Sequence, residues 1–163
     1  MKSANELIGL TSRELLALYI DELENNYYRW YYKQMRANGN RWRRWSYVSL
    51  FSSILAAGCA TLQTSNIKFV VENKEFLTIA LIVIPLFGTL ASSILMHEKL
   101  YEIYQLRENG RENIQYLVSE GKRRLATVVL EKDASDIHKY LIEEVRKVEI
   151  AQSQQYFSTN NKQ

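Results

Sequence analysis

The sequence has few of the residues that interrupt or cross-link small proteins. Among 163 residues there are one proline, six glycines, one cysteine and two histidines. So little proline and glycine excludes a loop-rich β-sandwich and a disordered low-complexity chain. The single cysteine, Cys59, excludes a disulfide framework and a zinc site made of thiolates. Since no strand-like alternation and no internal repeat is present, we predict an all-α fold.

Charge is also missing from two long stretches, residues 45–67 and 76–96, although 24% of the chain is charged. As helices they would span about 34 and 31 Å, close to the roughly 30 Å hydrocarbon core of a bilayer. A soluble core helix of this length usually keeps a polar face. We therefore predict an integral membrane protein with two transmembrane helices, 45–67 and 76–96, and prefer this to the buried hairpin of a soluble bundle. The external loop, 68–75, is short, so the two spans form an antiparallel hairpin.

The charges beside the first span predict the orientation. Residues 29–44 contain six basic side chains and no acidic one, whereas the only basic residues of the loop are Lys68 and Lys74, beside the acidic Glu72 and Glu75. The positive-inside rule then places both the N-terminus and the C-terminus in the cytoplasm. We predict a multi-pass protein of the plasma or inner membrane. The N-terminus does not read as a secretory signal, because no basic region followed by an apolar run is present.

Long amphipathic cytoplasmic helices are predicted on both sides of the hairpin. The first covers residues 13–44, with a cap at Thr11 or Ser12 and a break or kink at Asn38-Gly39-Asn40. The second span should continue without interruption into a cytoplasmic helical region, 97–157. Within that region we expect an interruption at Asn109-Gly110 and a new helix from Asp133, and we expect the tail, 158–163, to be disordered.

A cluster of basic and aromatic residues, Arg41-Trp42-Arg43-Arg44-Trp45, stands where the first span begins. Trp and Arg both suit the headgroup layer, so we interpret these five residues as membrane-interface anchors. Two alternatives stay open. Arg and aromatic side chains also stack on nucleobases, and a basic cluster can recognise an anionic lipid.

Residues for catalysis are scarce. His97 and His138 are far apart, and no glycine-rich phosphate loop is present. Burial of Cys59 in a span disfavours its thiolate. We predict no enzyme activity, no cofactor and no metal site.

Small residues mark one face of each span. In the first span they are four apart, and in the second they follow Pro85. Such faces let membrane helices approach closely, so they either pack the hairpin or form a weakly polar face between subunits that lines a pore. Pro85 and Gly88 weaken the same turn and are the candidate hinge. The candidate pore or packing face is Ser49, Ser53, Ala57, Thr61, Gly88 and Ser92.

The layout resembles the SLATT domain, a two-transmembrane effector domain associated with nucleotide-second-messenger synthetases and SLOG-type sensors in prokaryotic conflict systems. The resemblance covers residues 13–157: an aromatic–basic run leads into the first span, and a long helical tail ends in LIEEVRKVEIAQSQQYF. The residues that carry it are Tyr27, Tyr28, Trp30, Tyr31, Arg41, Glu143, Glu144, Glu149, Tyr156 and Phe157. It implies a pore-forming antiviral defence effector, triggered by a nucleotide second messenger or a sensor protein. It supplies no catalytic residue.

Two helices per chain cannot enclose a water path, so a channel would require a homo-oligomer in the lipid bilayer. The leading hypothesis is such a homo-oligomeric pore or ion channel, which disrupts the membrane on a signal. One alternative is a non-conducting membrane scaffold or anchor that recruits a cytoplasmic partner through its helical arms. The other, a membrane-tethered nucleic-acid binder, is less favoured.

Overall fold

The computed structural model describes residues 10–64 and 73–160, with side chains as far as Ser158. These residues form helices joined by short turns, and no strand occurs among them, so the all-α prediction is confirmed there. The elements in chain order are α1 (Ser12–Glu22), a π-helical segment (Leu23–Tyr28), α2 (Arg29–Gln63), α3 (Lys74–His97), α4 (Leu100–Thr127) and α5 (Glu131–Asn160).

The start of α1 was predicted correctly. Thr11 is its N-cap: the Thr11 hydroxyl accepts a hydrogen bond from the Glu14 N–H at 3.3 Å, and the Glu14 carboxylate accepts one from the Thr11 N–H at 2.8 Å. This reciprocal pair is a capping box. The same bonds hold the pKa of Glu14 below its usual value.

The interruption predicted at Asn109-Gly110 is wrong, and the helix start predicted at Asp133 is misplaced. The chain is helical through Asn109-Gly110, and it is also helical through Asn38-Gly39-Asn40, so no break occurs there. Glycine and asparagine are poor helix formers by less than about 1 kcal/mol each, which packing readily overrides. The last helix begins at Glu131 rather than Asp133 and continues to Asn160, so residues 158–160 are helical where a disordered tail was predicted. Residues 161–163 lie outside the described part of the chain.

The predicted limits of the spans also differ from the helix ends. α2 continues from the basic–aromatic cluster to Gln63, and α3 begins at Lys74 and ends at His97. Both are long and apolar enough to cross a membrane, judged by length and composition. Residues 65–67 of the first predicted span and 68–72 of the predicted loop lie outside the described residues.

The chain divides into two compact units. The first, which we call the helical bundle, contains the described residues before Ala37 and after Glu102. In it α1 and α5 run in the same direction, since Ser12 N–H donates to the Glu131 carboxylate at 2.7 Å and the rings of Tyr19 and His138 lie 5.1 Å apart. α4 runs in the opposite direction, since Gly121 lies against Ile20 and Gly110 against Tyr31. Lys122 of α4 also pairs with Glu24 at 2.7 Å. The bundle core includes Leu16, Ile20, Leu23, Ile114, Leu141 and Val145.

The π-helical segment keeps one face of the N-terminal helices on this core. Leu16, Ile20 and Leu23 are buried before or at its start, and Tyr31 is 4% exposed after it. The wider π turn adds a residue to the helical repeat without ending the helix. It therefore corrects the register between Leu23 and Tyr31, so that both sides of the segment face α4 and α5.

The second unit, residues 37–102, is an antiparallel pair of helices that we call the apolar hairpin. At one end Gln63 donates to the Thr78 hydroxyl at 3.2 Å, and at the other Arg41 pairs with Glu98 at 2.9 Å. The hydroxyls of Ser49 and Ser92 meet between them at 2.8 Å.

The expected continuous helix from the second span into the charged region is wrong. α3 ends at His97, and Lys99 has a φ of 44° before α4 begins at Leu100. Glu98 N–H donates to the Ile94 carbonyl at 3.0 Å, and Lys99 N–H to the Met96 carbonyl at 3.4 Å. A left-handed residue after the last helical turn is a common helix stop, normally a glycine. Here a lysine adopts the left-handed conformation, so no glycine marks the end of the helix in the sequence.

Candidate functional site

The small residues of the two spans do not form a single face. Gly88 and Ala91 of α3 and Ser52 of α2 are buried inside the apolar hairpin. A Cβ on Gly88 would lie 3.1 Å from the Ser52 Cβ, so the helices are close at this point. Ser49 and Ser92 share their hydrogen bond in the same interface. These positions pack the hairpin, and Ser52, which the spacing argument omitted, belongs with them.

The rest of the predicted face points away from α3. Ser53, Ala57 and Thr61 are exposed in the described structure. The Ser53 hydroxyl donates to the Ser49 carbonyl at 3.0 Å, and the Thr61 hydroxyl donates to the Ala57 carbonyl at 2.9 Å. A hydroxyl bonded in this way stays compatible with an apolar environment. The outer surface of α2 therefore carries a narrow, weakly polar face of three small residues.

The candidate hinge lies within an unbroken helix. Pro85 is inside α3, and the Thr89 hydroxyl donates to its carbonyl at 2.7 Å. Gly88, one turn later, is buried against α2. The clear interruption near this helix is instead the turn at Glu98-Lys99.

The predicted interface anchors surround one end of the apolar hairpin. Arg41 pairs with Glu98, and the Arg43 guanidinium donates to the Asn40 side chain at 2.6 Å. The Trp42 ring lies 5.1 Å from that of Tyr101. Arg44 is exposed and Trp45 is half-buried. Arg41 thus has a specific partner across the hairpin, besides any role at a membrane surface.

A pocket of about 680 Å³ lies in the helical bundle, between the N-terminal helices and α5. Five of its ten lining residues are aromatic. Its lining residues are Asn26, Tyr27, Trp30, Tyr31, Arg107, Glu149, Gln152, Ser153, Tyr156 and Phe157. Six of them, namely Tyr27, Trp30, Tyr31, Glu149, Tyr156 and Phe157, are residues that carry the SLATT resemblance.

Arg107 provides the positive charge of the pocket. Its guanidinium carbon lies 5.1 Å from the centre of the Trp30 ring and 5.8 Å from that of Tyr156. Both distances are in the range of a cation–π interaction. Burial raises the pKa of Tyr31, and the nearby Arg107 charge partly offsets that increase.

The opposite charge comes from Glu149 on α5. Burial raises the pKa of Tyr27, and the negative charge of the nearby Glu149 carboxylate raises it further. The carboxylate therefore lies close to the Tyr27 hydroxyl at the pocket.

Gln152 is the buried polar side chain of the pocket, with 7% of its surface exposed. Its amide nitrogen donates to the Leu106 carbonyl at 2.8 Å. Its amide oxygen is shielded from water and has no hydrogen-bond partner among the described residues. The bond to Leu106 fixes which end of the amide is oxygen, because exchanging the two would place two acceptors together.

Sequence spacing does not identify Arg107 and Gln152 as site residues. They lie on different helices and more than 40 positions apart, so no local pattern joins them to Trp30. The aromatic run and the Tyr156-Phe157 ending are both recognisable in the sequence. That they line the same pocket could not be predicted from it. Among residues 10–64 and 73–160, no group of three His, Cys, Asp or Glu side chains could hold a metal ion.

Comparisons of this chain with protein-family models, curated proteins and solved structures give no match.

Proposed function

We propose that this chain is a two-span membrane effector of the SLATT type, acting in a prokaryotic conflict or antiphage system. Several copies assemble in the plasma or inner membrane into a pore or channel. A nucleotide signal or a sensor protein opens it, and the resulting loss of the membrane barrier arrests or kills the cell. Both termini lie in the cytoplasm, because the basic residues 29–44 precede the first span.

The observation that carries the proposal is the exposed apolar surface of the hairpin. In the most apolar 18-residue stretch of α3, 11% of the stretch is buried inside the protein. In the corresponding apolar stretch that ends α2, the buried share is 0%. A core helix of a soluble bundle would be mostly buried. Large side chains such as Phe51, Phe76 and Leu86 are 58%, 71% and 63% exposed, so they need lipid or neighbouring chains around them.

The arrangement of small polar residues on the hairpin supports assembly of several chains. One hairpin has no interior, since Ser49, Gly88 and Ser92 pack the two helices together. A water path therefore needs walls from several chains. The outward face of Ser53, Ala57 and Thr61 is the part of α2 best suited to contact another subunit or to line that path.

Dye release from liposomes tests the proposal. The reconstituted full chain should release a small dye, either alone or when cyclic nucleotides are added. Ala57→Leu should reduce release severalfold, because it fills the outward face. Leu55→Ala is the comparison: Leu55 is 55% exposed and lies two residues away, on a different side of α2. It should leave release unchanged.

Both variants are checked for equal incorporation into the liposomes. Membranes that stay tight under every condition would contradict the pore and favour the scaffold that recruits a partner. Equal release from Ala57→Leu and the parent would contradict the assignment of the outward face.

A further inference from the structure

The aromatic pocket of the helical bundle has features that a pore does not require. Trp30 and Phe157 are 47% and 62% exposed, and both line the pocket. Large aromatic surfaces left open to water around one cavity are typical of binding sites. The volume, about 680 Å³, is in the usual range for small-molecule pockets.

Arg107 extends the aromatic wall of this pocket. Its guanidinium is planar and lies close to the rings of Trp30 and Tyr156. Guanidinium planes and aromatic rings are the two surfaces on which proteins stack nucleobases. The N–H groups at the guanidinium edge can also donate to acceptor atoms on a base, as they do to O6 and N7 of guanine.

The Glu149 carboxylate completes the pocket. Burial raises the pKa of Tyr27 and the nearby Glu149 charge raises it further, so the carboxylate lies close to the Tyr27 hydroxyl. An ionised carboxylate accepts about four hydrogen bonds, so Glu149 has lone pairs for a ligand. The Gln152 amide oxygen is buried too deeply for a bound molecule to reach it.

We propose that this pocket binds a purine base, carried by a nucleoside or nucleotide. The base stacks on the rings of Trp30 and Tyr156. Its N–H edge faces the Glu149 carboxylate, and its acceptor edge faces Arg107. Guanine fits this arrangement, because it has N–H donors on one edge and O6 and N7 acceptors on the other. The inference concerns binding alone, so a chain that binds the base without ever conducting would still satisfy it.

Equilibrium dialysis of the full chain in lipid nanodiscs tests the proposal, with radiolabelled guanosine as the probe. Saturable binding is expected. Guanosine 5′-monophosphate should compete for the site, whereas ribose 5-phosphate, which lacks the base, should not. No saturable binding, or equal competition by ribose 5-phosphate, would overturn the proposal. A single-stranded RNA hexamer that outcompetes the mononucleotide would also overturn it, in favour of a nucleic-acid site.

Matched variants locate the site. Tyr156→Leu should weaken guanosine binding about tenfold, as expected for one lost stacking partner. The control is the same change at Tyr116, which is 65% exposed on α4 and does not line the pocket. Arg107→Gln should also weaken binding, and Arg146→Gln, an exposed arginine of α5, should not. Binding that pocket variants leave unchanged would contradict the assignment.

A second measurement does not depend on removing a pocket side chain. Ser153→Cys in a Cys59→Ser background places one thiol at the pocket edge. Saturating guanosine should slow its reaction with a maleimide severalfold, and should leave Tyr116→Cys in the same background unaffected. Equal rates with and without guanosine at residue 153 would count against the proposal.

Discussion

At Gly110, α4 lies so close to Tyr31 that even one added methyl group has no space. A Cβ there would be 2.5 Å from the Cε1 atom of Tyr31 and 3.1 Å from the Gln152 amide carbon. The Tyr31 ring is buried, so it cannot swing into solvent. The glycine that we interpreted as a helix interruption is instead a contact point between helices.

We expect Gly110→Ala to destabilise the protein by about 1–3 kcal/mol, the usual cost of overpacking. Gly58→Ala is the matched control, because nothing lies within 4 Å of its added Cβ. The control should be neutral or slightly stabilising, since alanine forms helix better than glycine by about 1 kcal/mol. Thermal unfolding in detergent, followed by circular dichroism, measures both. Equal unfolding temperatures for the two variants would mean that a methyl group at residue 110 does not destabilise the protein, and would contradict the prediction.

At the scale of helices, the sequence predicts those features whose chemistry is local. The cap of α1 was predicted at Thr11 or Ser12, and it is Thr11, which bonds to Glu14 within one turn. The charge-free stretches located α3 and the second half of α2. The π-helical segment was not predictable, since it depends on how Leu23, Tyr27 and Tyr28 pack against the distant helices α4 and α5 rather than on a local sequence pattern.

The turn between α3 and α4 gives the sharpest test at this scale. A non-glycine residue in the left-handed region costs roughly 1–2 kcal/mol, and Lys99 has a φ of 44°. We expect Lys99→Gly to be about 1 kcal/mol more stable than Lys99→Ala, since both variants lack the lysine side chain and only glycine relieves the strain. In a continuous helix the order would be reversed, with alanine more stable by about 1 kcal/mol. Denaturant unfolding of the two variants distinguishes these outcomes, and alanine as the more stable variant would contradict the turn.

At the scale of the whole molecule, the helical bundle and the apolar hairpin differ in the polarity of their outer surfaces. The helical bundle has a buried apolar core and an exterior with ion pairs such as that of Glu120 with Arg123 and Arg124, which lowers the pKa of Glu120 to about 2. The apolar hairpin has few buried residues and an apolar exterior. Composition along the chain predicted this contrast. It could not predict the pocket, because Trp30, Arg107 and Gln152 come together only when three helices pack.

The contrast between the two units leads to a prediction about the membrane topology of the chain. If the hairpin spans the membrane with both termini in the cytoplasm, Lys74 at the start of α3 faces outward and Ser158 near the end of α5 faces inward. Both positions are exposed, so a cysteine at either can react. In a Cys59→Ser background, Lys74→Cys should be labelled by an impermeant maleimide in intact cells, and Ser158→Cys only after the cells are opened. The parent without cysteine should stay unlabelled in both. Labelling of residue 158 in intact cells, or a chain that alkaline carbonate releases from the membrane fraction, would contradict the two-span topology on which the pore depends.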